Sequence, residues 1–519
     1  MSASLTPGAL ARLLGDWQIG AAPAYRQLAD VVRLLILDGR LPLDVALPSE
    51  RALAATLGIS RTTVTAAFQS LREQGFLSSR QGSRARTCIP HGTLGSNRGA
   101  NGSDLTSSPG LAPPPGLIDL AYASLPASGE VVHRAFAAAL TELPALLPGF
   151  GYDALGVPAL REAIAERYSE LGVPTAAEQI LVTSGAQHAL NIVLRTLAGR
   201  QDRVLVEQPT YPNALDAIRA AGCRPVPVAL PAGHSSIASR NGSRSGSTSG
   251  STSGDGTAPT SHPGWDLDAM QTAMMQLRPT MAYVVPDFHN PTGRLMADPQ
   301  RRQLVRAAAA SGTILVVDET LRELNLDGAK TAPVSAFSPT VVSIGSLSKS
   351  HWAGIRTGWI RADRTLIQRF AAARTTIDLG GPVVEQLAAA HLVRSLTEPL
   401  PARLSDLRTN RSALLELLQR HLPQWQVERP GGGLSVWCRL PAPISTALTV
   451  IAPEFGIRLA AGPRFGVGGT FEHHLRVPYT LPPDRLETAV LALGSAQDRL
   501  DATPQLRRNL RESRPAAIA

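Results

Sequence analysis

The sequence predicts an α/β protein with a mostly parallel sheet, preceded by a small helical domain. Short apolar runs recur after residue 118, and each is followed by a segment whose apolar residues have helical spacing. Near the N-terminus the apolar spacing is helical, and a stretch rich in Gly, Ser and Pro separates the two regions. A chain of 519 residues with 44% hydrophobic and 18% charged residues is expected to form more than one soluble domain.

Composition also limits the function classes. No apolar run is long enough to cross a membrane, and the N-terminal residues lack the basic and apolar segments of a signal peptide. The three cysteines, Cys88, Cys223 and Cys438, are far apart, so we expect no metal site and a cytoplasmic location. The net charge of +9 permits binding to nucleic acid without establishing it.

Residues 20–88 are predicted to form a winged helix-turn-helix domain. Apolar residues at helical spacing predict a first helix over 25–37, and Ser49 and Ser60 are the N-caps expected for two further short helices. Residues 76–86 have the pattern of a β-hairpin. Two short helices joined by a tight turn and followed by such a wing are typical of a DNA-binding module.

The polar side chains of this domain suggest how it would contact DNA. The start of a recognition helix meets base edges, whereas a basic residue of the preceding helix and the wing tip meet phosphates. On this basis we predict one set of DNA contacts: Arg51, Arg61, Thr62, Thr63, Arg80 and Gly82. The alternative is a protein-docking module with a solvated basic face.

The segment LPSERALAATLGISRTTVTAAFQSLREQGFLSSRQGS resembles the winged helix of GntR-family regulators over its whole length. The resemblance implies binding to double-stranded DNA. The sequence departs from the family at Leu43–Ala46, where the family usually has Pro-Gly-x-Arg. A glycine turn and one basic side chain are therefore missing just before the second helix.

The rest of the chain divides into a linker and one large domain. Residues 89–117 are rich in Gly, Ser, Asn and Pro and are predicted to be a flexible linker. From 118 to 500 the recurring apolar runs predict an α/β domain that binds its ligand at the carboxyl ends of the strands. The Ser/Gly/Thr tract at 235–262 has no core-forming pattern, so we expect a disordered surface insertion.

The distribution of lysine indicates the chemistry. Among 50 Lys and Arg residues only Lys330 and Lys349 are lysine. Lys349 lies in a Ser-rich turn directly after the apolar run 341–345, whereas Lys330 lies in a polar turn and is expected to be an ordinary solvated residue. A Schiff base with an aldehyde needs a primary amine, which arginine cannot supply. We therefore predict that Lys349 is a functional amine.

Polar residues also follow four other predicted strands. The segment Ser184–Gln187 opens a helix whose free N–H groups favour a phosphate, and Tyr211 is placed to stack on a ring. Asn290 begins an Asn-Pro-Thr-Gly run, and Asp318 ends a strand. A carboxylate there would keep a pyridine nitrogen protonated. Each position alone has an ordinary alternative, such as a strand–helix turn, a partly buried tyrosine or a helix cap.

The pattern SxSK…GxRxG, which contains Lys349 and Arg356, resembles the lysine segment of fold-type I aminotransferases that use pyridoxal 5'-phosphate (PLP). The resemblance covers residues 118–500. Together with the winged helix, the whole chain resembles the MocR (GabR-type) subfamily of GntR regulators. The resemblance implies PLP as cofactor, Lys349 as the lysine that forms the aldimine, and a homodimer, in some relatives with a swapped DNA-binding domain.

The same resemblance implies individual roles. Asp318 would face the pyridine nitrogen, Asn290 would contact the ring oxygen and Tyr211 would stack on the ring. The residues that would hold the phosphate are Ser346, Ser348, Arg356, Ala186, Gln187 and, from the partner subunit, Tyr152. Arg476 would bind a substrate carboxylate. The family usually has a tyrosine two or three residues after the aspartate; here Thr320 and Leu321 occupy those positions, and Thr320 is the hydroxyl left to donate to the cofactor.

Three functions fit these features. The first is a DNA-binding transcription regulator that senses an amino-group effector by external aldimine formation at Lys349. The second is an active aminotransferase that carries a DNA-binding module. The third is a regulator whose large domain is only a dimerisation scaffold. The complete cofactor set argues against the third function, and the winged helix and the missing phenol argue against the second.

Overall fold

The computed structural model describes residues 5–15, 17, 23–37, 41–42, 45–74, 76–78, 84–88, 117–231 and 264–502. The predicted wing-tip residues Arg80 and Gly82, the predicted linker up to residue 116 and the predicted insertion at 235–262 lie outside the described residues. The chain forms two compact units, which are Met1–Asp119 with Thr446–Leu459 and Leu491–Ala519, and Leu120–Ser445 with Ala460–Val490.

The secondary structure alternates between strands and helices over most of the chain. The α-helices are α1 Pro7–Leu14, α2 Ala24–Leu37, α3 Glu50–Leu57, α4 Arg61–Glu73, α5 Gly129–Glu142, α6 Pro158–Glu170, α7 Ala186–Leu197, α8 Pro212–Ala220, α9 Leu267–Leu277, α10 Asp298–Ser311, α11 Arg364–Arg374, α12 Val383–Arg394, α13 Leu400–His421, α14 Ser445–Ile451 and α15 Pro483–Ala502. The strands are β1 Leu77–Ser78, β2 Arg86–Thr87, β3 Ile118–Asp119, β4 Ile180–Thr183, β5 Arg203–Gln208, β6 Arg224–Ala229, β7 Met281–Val284, β8 Ile314–Asp318, β9 Val342–Ser346, β10 Gly358–Arg361, β11 Gln426–Val427, β12 Ser435–Arg439, β13 Ile457–Arg458, β14 Ala460–Ala461 and β15 His474–Pro478.

In the first unit, three helices and a short hairpin form the predicted winged helix-turn-helix. Leu28 of α2, Leu53 of α3 and Phe68 of α4 are buried in one apolar cluster. Strands β1 and β2 pair antiparallel, with Leu77 opposite Thr87. Because α3 and α4 each bury only one face, their opposite faces remain available to a ligand.

The ends of α3 and α4 follow from their capping residues, as the sequence predicted. The side chain of Ser49 accepts a hydrogen bond from the N–H of Ala52, and that of Ser60 accepts one from Thr63. Gly58 ends α3 in the left-handed conformation, at φ 65°. These contacts satisfy backbone groups that a short helix would otherwise leave without partners, and they define the turn between the two helices.

The first unit also contains a small parallel pair. Strand β3, which follows the predicted linker, pairs with β13, and Ile118 lies opposite Ile457. Asp119 forms an ion pair with Arg458 beside this pair. Residues far apart in the sequence therefore join through two-residue strands in this unit.

The second unit contains a seven-stranded sheet in the order β4-β10-β9-β8-β7-β5-β6. Strands β6, β5, β7, β8 and β9 are parallel, and β10 runs antiparallel to its neighbours β9 and β4. The predicted α/β class with a mostly parallel sheet is thus confirmed. The five apolar runs that predicted strands correspond to β4, β5, β7, β8 and β9.

Successive side chains of the central strands pack on opposite faces of this sheet. Tyr283 and Val316 belong to an apolar cluster with α7, α8 and α11, whereas Val284 and Val317 belong to another cluster with α9 and α10. Successive side chains of a strand point to opposite faces, so helices cover the sheet on both sides. The same alternation places Asp318, at the end of β8, on the face that carries Tyr283 and Val316.

A second sheet follows late in this unit, in the antiparallel order β11-β12-β15-β14. Arg476 of β15 lies between Trp437 of β12 and Ala460 of β14 in the strand register. A search of the helices that the structure describes finds no segment long and apolar enough to cross a membrane.

Candidate functional site

Lys349 lies in the turn that follows β9. Its Nζ donates hydrogen bonds to the carbonyl oxygen of Ala123 at 2.7 Å and to Oγ of Ser124 at 3.4 Å. Burial, helped by the positive charge of Arg476 and opposed by Asp318, lowers the pKa of Lys349 to about 8. A useful fraction of the amine is therefore neutral and nucleophilic near neutral pH.

Asp318 is buried at the end of β8, and its carboxylate already has well-defined partners. The hydroxyl of Tyr283 donates to Oδ2 at 2.6 Å. The hydroxyl and N–H of Thr320 both donate to Oδ1, at 2.6 and 2.9 Å. Thr320 was expected to offer its hydroxyl to the cofactor, but the structure places that hydroxyl on Asp318.

Tyr211 and Asn290 lie after strands of the same sheet. Tyr211 packs against the apolar cluster of α7 and α8, and its hydroxyl accepts a hydrogen bond from Asn213 at 3.0 Å. Burial, with a smaller effect from Asp318, raises the pKa of Tyr211, so its phenol stays neutral. The side-chain oxygen of Asn290 is buried and has no hydrogen-bond partner among the described residues. A buried polar atom without a partner is costly, which favours a ligand there.

Gly185 and Gly358 allow Arg356 to pack closely against the start of α7, and these residues together are called the cradle. Gly185 has φ 91°, and a Cβ there would lie 2.9 Å from Nη2 of Arg356. A Cβ on Gly358 would lie 2.7 Å from the carbonyl carbon of Gly185 and 2.8 Å from the nitrogen of Ala186. Nη2 of Arg356 also donates to the carbonyl oxygen of Ser184 at 2.8 Å. The guanidinium and the helix N-terminus therefore lie together, as an anion site requires.

The other residues predicted to hold the phosphate differ in how free their polar groups are. Ser346 donates its only hydroxyl proton to the carbonyl of Thr357 at 3.0 Å and accepts from the N–H of Ser348 at 3.1 Å, so its role in the structure is to shape the turn. The side-chain N–H of Gln187 donates to Asn213, whereas its Oε1 is buried without a partner in the described part of the chain.

Arg476 is 6% exposed, on the face of the small sheet that also carries Trp437. Its Nη2 donates to the carbonyl of Ala121, and its guanidinium carbon lies 5.1 Å from the ring centre of Phe465. The backbone of 121–123 thus supplies carbonyl oxygens to both Arg476 and Lys349. A carboxylate would be a stronger acceptor for Arg476 than a neutral carbonyl.

Tyr152 is 75% exposed within this chain and is not brought together with the other site residues. Neighbouring apolar side chains are also exposed, among them Phe150 at 97% and Leu147 at 67%. This part of the surface follows α5.

The donor set fits PLP, a cofactor that the fold implies. The cradle of Gly185, Gly358 and Arg356 brings a guanidinium to the N-terminus of α7, and a side chain on either glycine would collide with the atoms that form it. In the part of the chain that the structure describes, the buried oxygen of Asn290 has no partner, and the carboxyl group of Asp318 and the amine of Lys349 act on each other electrostatically. No group of three or more His, Cys, Asp and Glu suited to a metal ion occurs among the residues that the structure describes.

The predicted DNA contacts that are described lie at the starts of α3 and α4. Arg51, Arg61 and Thr62 are exposed, and Thr63 is half-buried. Oγ of Ser60 lies 2.7 Å from the hydroxyl of Thr62 and 2.8 Å from that of Thr63. The two threonine hydroxyls are therefore oriented by the helix cap.

Tyr283 and the segment 121–124 were not predicted from the sequence. Tyr283 lies inside an apolar run, and a phenol buried there needs a hydrogen-bond partner. A tyrosine in a strand that is otherwise apolar was therefore the available signal. The segment 121–124 has no comparable signal, because its shorter contacts come from the carbonyls of Ala121 and Ala123, a group that every residue carries.

The lysine turn, the aspartate at the end of β8 and the cradle at α7, on this sheet, define a fold-type I aminotransferase domain behind a GntR-type helix-turn-helix. Residues 24–86 match the model described as "Bacterial regulatory proteins, gntR family". Residues 150–236 and 257–493 match "Aminotransferase class I and II". The chain belongs to the aminotransferase class I and II family, and with its N-terminal domain it has the organisation of MocR-type GntR regulators.

Named relatives include both regulators and transaminases. The chain is 27% identical over 424 residues to the probable rhizopine catabolism regulatory protein MocR of Rhizobium meliloti, covering 78% of each chain. It is 29% identical over 328 residues to the 2-aminoadipate transaminase of Thermus thermophilus, covering 62% of this chain and 75% of the relative. The crystal structure of LysN, the α-aminoadipate aminotransferase of that organism complexed with N-(5'-phosphopyridoxyl)-L-leucine, is similar with a TM-score of 0.64 and 26% identity over 75% of this chain and 94% of LysN.

Proposed function

We propose that this DNA-binding regulator senses an amino-group effector through PLP held at Lys349. The observation that carries the proposal is the buried Lys349 amine, whose pKa burial and Arg476 lower to about 8 and on which Asp318 acts electrostatically. PLP supplies, when bound, an aldehyde that can exchange one amine for another and a ring that withdraws electrons. An effector amine would displace the Lys349 amine.

The residues around Lys349 support an effector that also carries a carboxylate. Arg476 now donates to the carbonyl of Ala121, a weak acceptor that a carboxylate can replace. Lys349 likewise donates to the carbonyl of Ala123. Attachment of PLP to Lys349 would therefore release one contact of this backbone segment, and binding of the effector carboxylate to Arg476 would release the other. Asp318 would hold the pyridine end and the cradle beside Arg356 would hold the phosphate.

Sensing is favoured over turnover by the residues just after Asp318. Thr320 and Leu321 stand where a phenol would tune the cofactor, and the Thr320 hydroxyl donates to Asp318. Slow or absent transamination would leave the effector intact, and a regulator needs a ligand that persists. An active aminotransferase is the second candidate, supported by the complete set Lys349, Asp318, Asn290 and Arg476.

One preparation can separate the two functions. Operator binding and keto-acid production would be measured on the PLP-loaded protein with and without a panel of amino acids and amines. We expect a compound that changes the absorption spectrum of the bound cofactor and shifts DNA affinity, with little keto acid formed. In Lys349→Ala the spectral change and the shift in DNA affinity should both be lost. Rapid turnover with unchanged DNA binding would contradict the sensing role.

We also propose that DNA is read by the start of α4. Arg61→Ala should weaken binding to the specific operator by about 1–3 kcal/mol and relax its sequence preference, as loss of a base contact does. Arg51→Ala should weaken binding to all sequences alike and reduce the dependence on salt, as loss of a phosphate contact does. Unchanged operator affinity in both variants would contradict this placement.

A homodimer is part of the proposal. Phe150 and Tyr152 are large and exposed, at 97% and 75%, and such residues together mark a contact surface. We propose that Tyr152 completes the cofactor site of a second copy. Sedimentation and PLP titration of Tyr152→Ala would test this, with a dimer of weaker PLP affinity expected. A wild-type monomer with full PLP affinity would contradict the shared site. We further propose the predicted boundaries 20–88, 89–117 and 118–500 for the two domains and their linker.

A further inference from the structure

Tyr283 is a buried phenol that none of the roles above uses. It lies in the middle of β7, beside β8 in the parallel register, and its side chain is fully buried. Its hydroxyl donates to Oδ2 of Asp318 at 2.6 Å. Burial, together with the negative charge of Asp318, raises the pKa of Tyr283 well above its ordinary value, so Tyr283 remains a proton donor to the carboxylate.

The other oxygen of Asp318 is held in a comparable way. Thr320 donates its hydroxyl to Oδ1 at 2.6 Å and its N–H to the same oxygen at 2.9 Å. Asp318 therefore accepts three hydrogen bonds, two of them short and from hydroxyls. Donors on both oxygens fix the plane of the carboxylate before any ligand arrives.

Hydrogen bonds from other donors occupy the oxygens of a carboxylate and share its negative charge, so it becomes a weaker acceptor for a further N–H. A weaker acceptor stabilises a protonated pyridine nitrogen less, and an incompletely protonated ring withdraws electrons less strongly. Building on the proposed function, we propose that Tyr283 and Thr320 are positioning residues that orient Asp318 and limit protonation of the cofactor ring. Tyr283 and Thr320 would thereby favour effector exchange over transamination, because only transamination needs strong electron withdrawal by the ring.

The test measures the ring nitrogen directly. PLP carrying the NMR-active nitrogen isotope in its ring would be bound to wild-type protein, Tyr283→Phe and Thr320→Val. Each variant removes one hydroxyl donor and preserves most of the side-chain volume. The ratio of protonated to unprotonated ring nitrogen should rise about tenfold for each donor removed, and the nitrogen signal should move toward the protonated position. Thr320→Ser keeps a hydroxyl and should retain the wild-type signal.

Tyr168→Phe is the matched control. Tyr168 is also a buried phenol that donates to a carboxylate, at 2.7 Å to Oε2 of Glu319, the residue next to Asp318. Because Glu319 takes its hydrogen bonds from Tyr168 and Ser343 and not from the donors of Asp318, this variant should lower stability as Tyr283→Phe does, while the nitrogen signal stays unchanged. A signal that moves equally in Tyr168→Phe would mean that general loosening is the cause, and would overturn the proposal.

The outcomes also separate this inference from the proposed function. A wild-type ring that is already fully protonated, or a nitrogen signal unchanged in both Tyr283→Phe and Thr320→Val, would overturn the positioning role and leave sensing intact. Absence of a Lys349-dependent cofactor signal in the wild type would instead refute the proposed function. The rate of conversion of bound PLP to its amine form provides a second measurement, and it should increase in Tyr283→Phe and Thr320→Val but not in Tyr168→Phe.

Discussion

Replacing Arg476 with glutamine should slow the capture of PLP by Lys349 at neutral pH. Burial is the largest cause of the lowered pKa of Lys349, and Arg476 is the charged group that acts in the same direction. Asp318 acts against both. Removing the Arg476 charge should therefore raise the pKa of the amine, and the neutral, reactive fraction should fall.

The magnitude follows from the pKa values. With a pKa of about 8 instead of the ordinary 10.5, the neutral fraction of Lys349 at pH 7 rises from roughly one in three thousand to one in ten. The full effect on capture is therefore about 300-fold, and Arg476→Gln should lose part of it because burial remains. The pKa of Lys349 is about 8 in the folded protein and 10.5 in the unfolded chain. Between these pH values the unfolded chain binds more protons, so the free energy of unfolding rises with pH, by at most about 3 kcal/mol.

Rapid mixing of the cofactor-free protein with PLP would measure this, by following the visible absorption band from pH 6 to pH 10. In the wild type the rate should rise about tenfold per pH unit and level off near pH 8. In Arg476→Gln it should level off at a higher pH. Arg439→Gln, an exposed arginine on the same small sheet, is the control and should behave as the wild type. The reasoning fails if the wild-type rate still rises tenfold per unit beyond pH 9, or if Arg476→Gln levels off at the wild-type pH.

Two further predictions concern the cradle and the DNA-binding domain. Gly185→Val places a branched side chain at φ 91°, with its Cβ 2.9 Å from Nη2 of Arg356. PLP affinity, measured by fluorescence titration, should therefore fall about tenfold or more. Gly494→Ala is the control and should bind PLP normally, because a Cβ there meets nothing within 4 Å. Glu50→Gln should lower the midpoint of urea unfolding of the N-terminal domain at pH 7. Partial burial raises the pKa of Glu50, but hydrogen bonds from Thr65 and an arginine outweigh burial, so the pKa is lowered. The ionised Glu50 therefore stabilises the domain above about pH 4.5, and this stabilisation disappears as pH falls below that value. Equal midpoints of Glu50→Gln and wild type at pH 7 would contradict the second prediction.

Local patterns were sufficient for the fold class and for choosing candidate residues at the strand ends. Ser49 and Ser60 cap α3 and α4 because an N-cap acts on backbone groups two or three residues away. The apolar runs predicted β4, β5, β7, β8 and β9 because buried parallel strands need continuous apolar sequence. Lys349 stood out because lysine is so rare in this chain, and its chemistry cannot be supplied by arginine.

The partners of those residues could not be found in this way. Ser346 has a hydroxyl in a phosphate-binding pattern, yet its proton is donated to Thr357, which comes near only when β9 and β10 pair. Thr320 was expected to act on the cofactor, and whether it does so depends on the position of Asp318, to which it donates instead. A hydroxyl has one proton, so its partner depends on which acceptor the fold places closest.

The sequence by itself determined the α/β class and the winged helix-turn-helix, and it supplied the candidate residues for a PLP site, since these depend on residue type and on short spacings. Only the tertiary structure decided that Tyr283 of β7 reaches Asp318 of β8, and that the backbone of Ala121 and Ala123 contacts Arg476 and Lys349. Those contacts join segments up to 355 residues apart. Their energies depend on burial and on distances between strands, which no local pattern of residues contains.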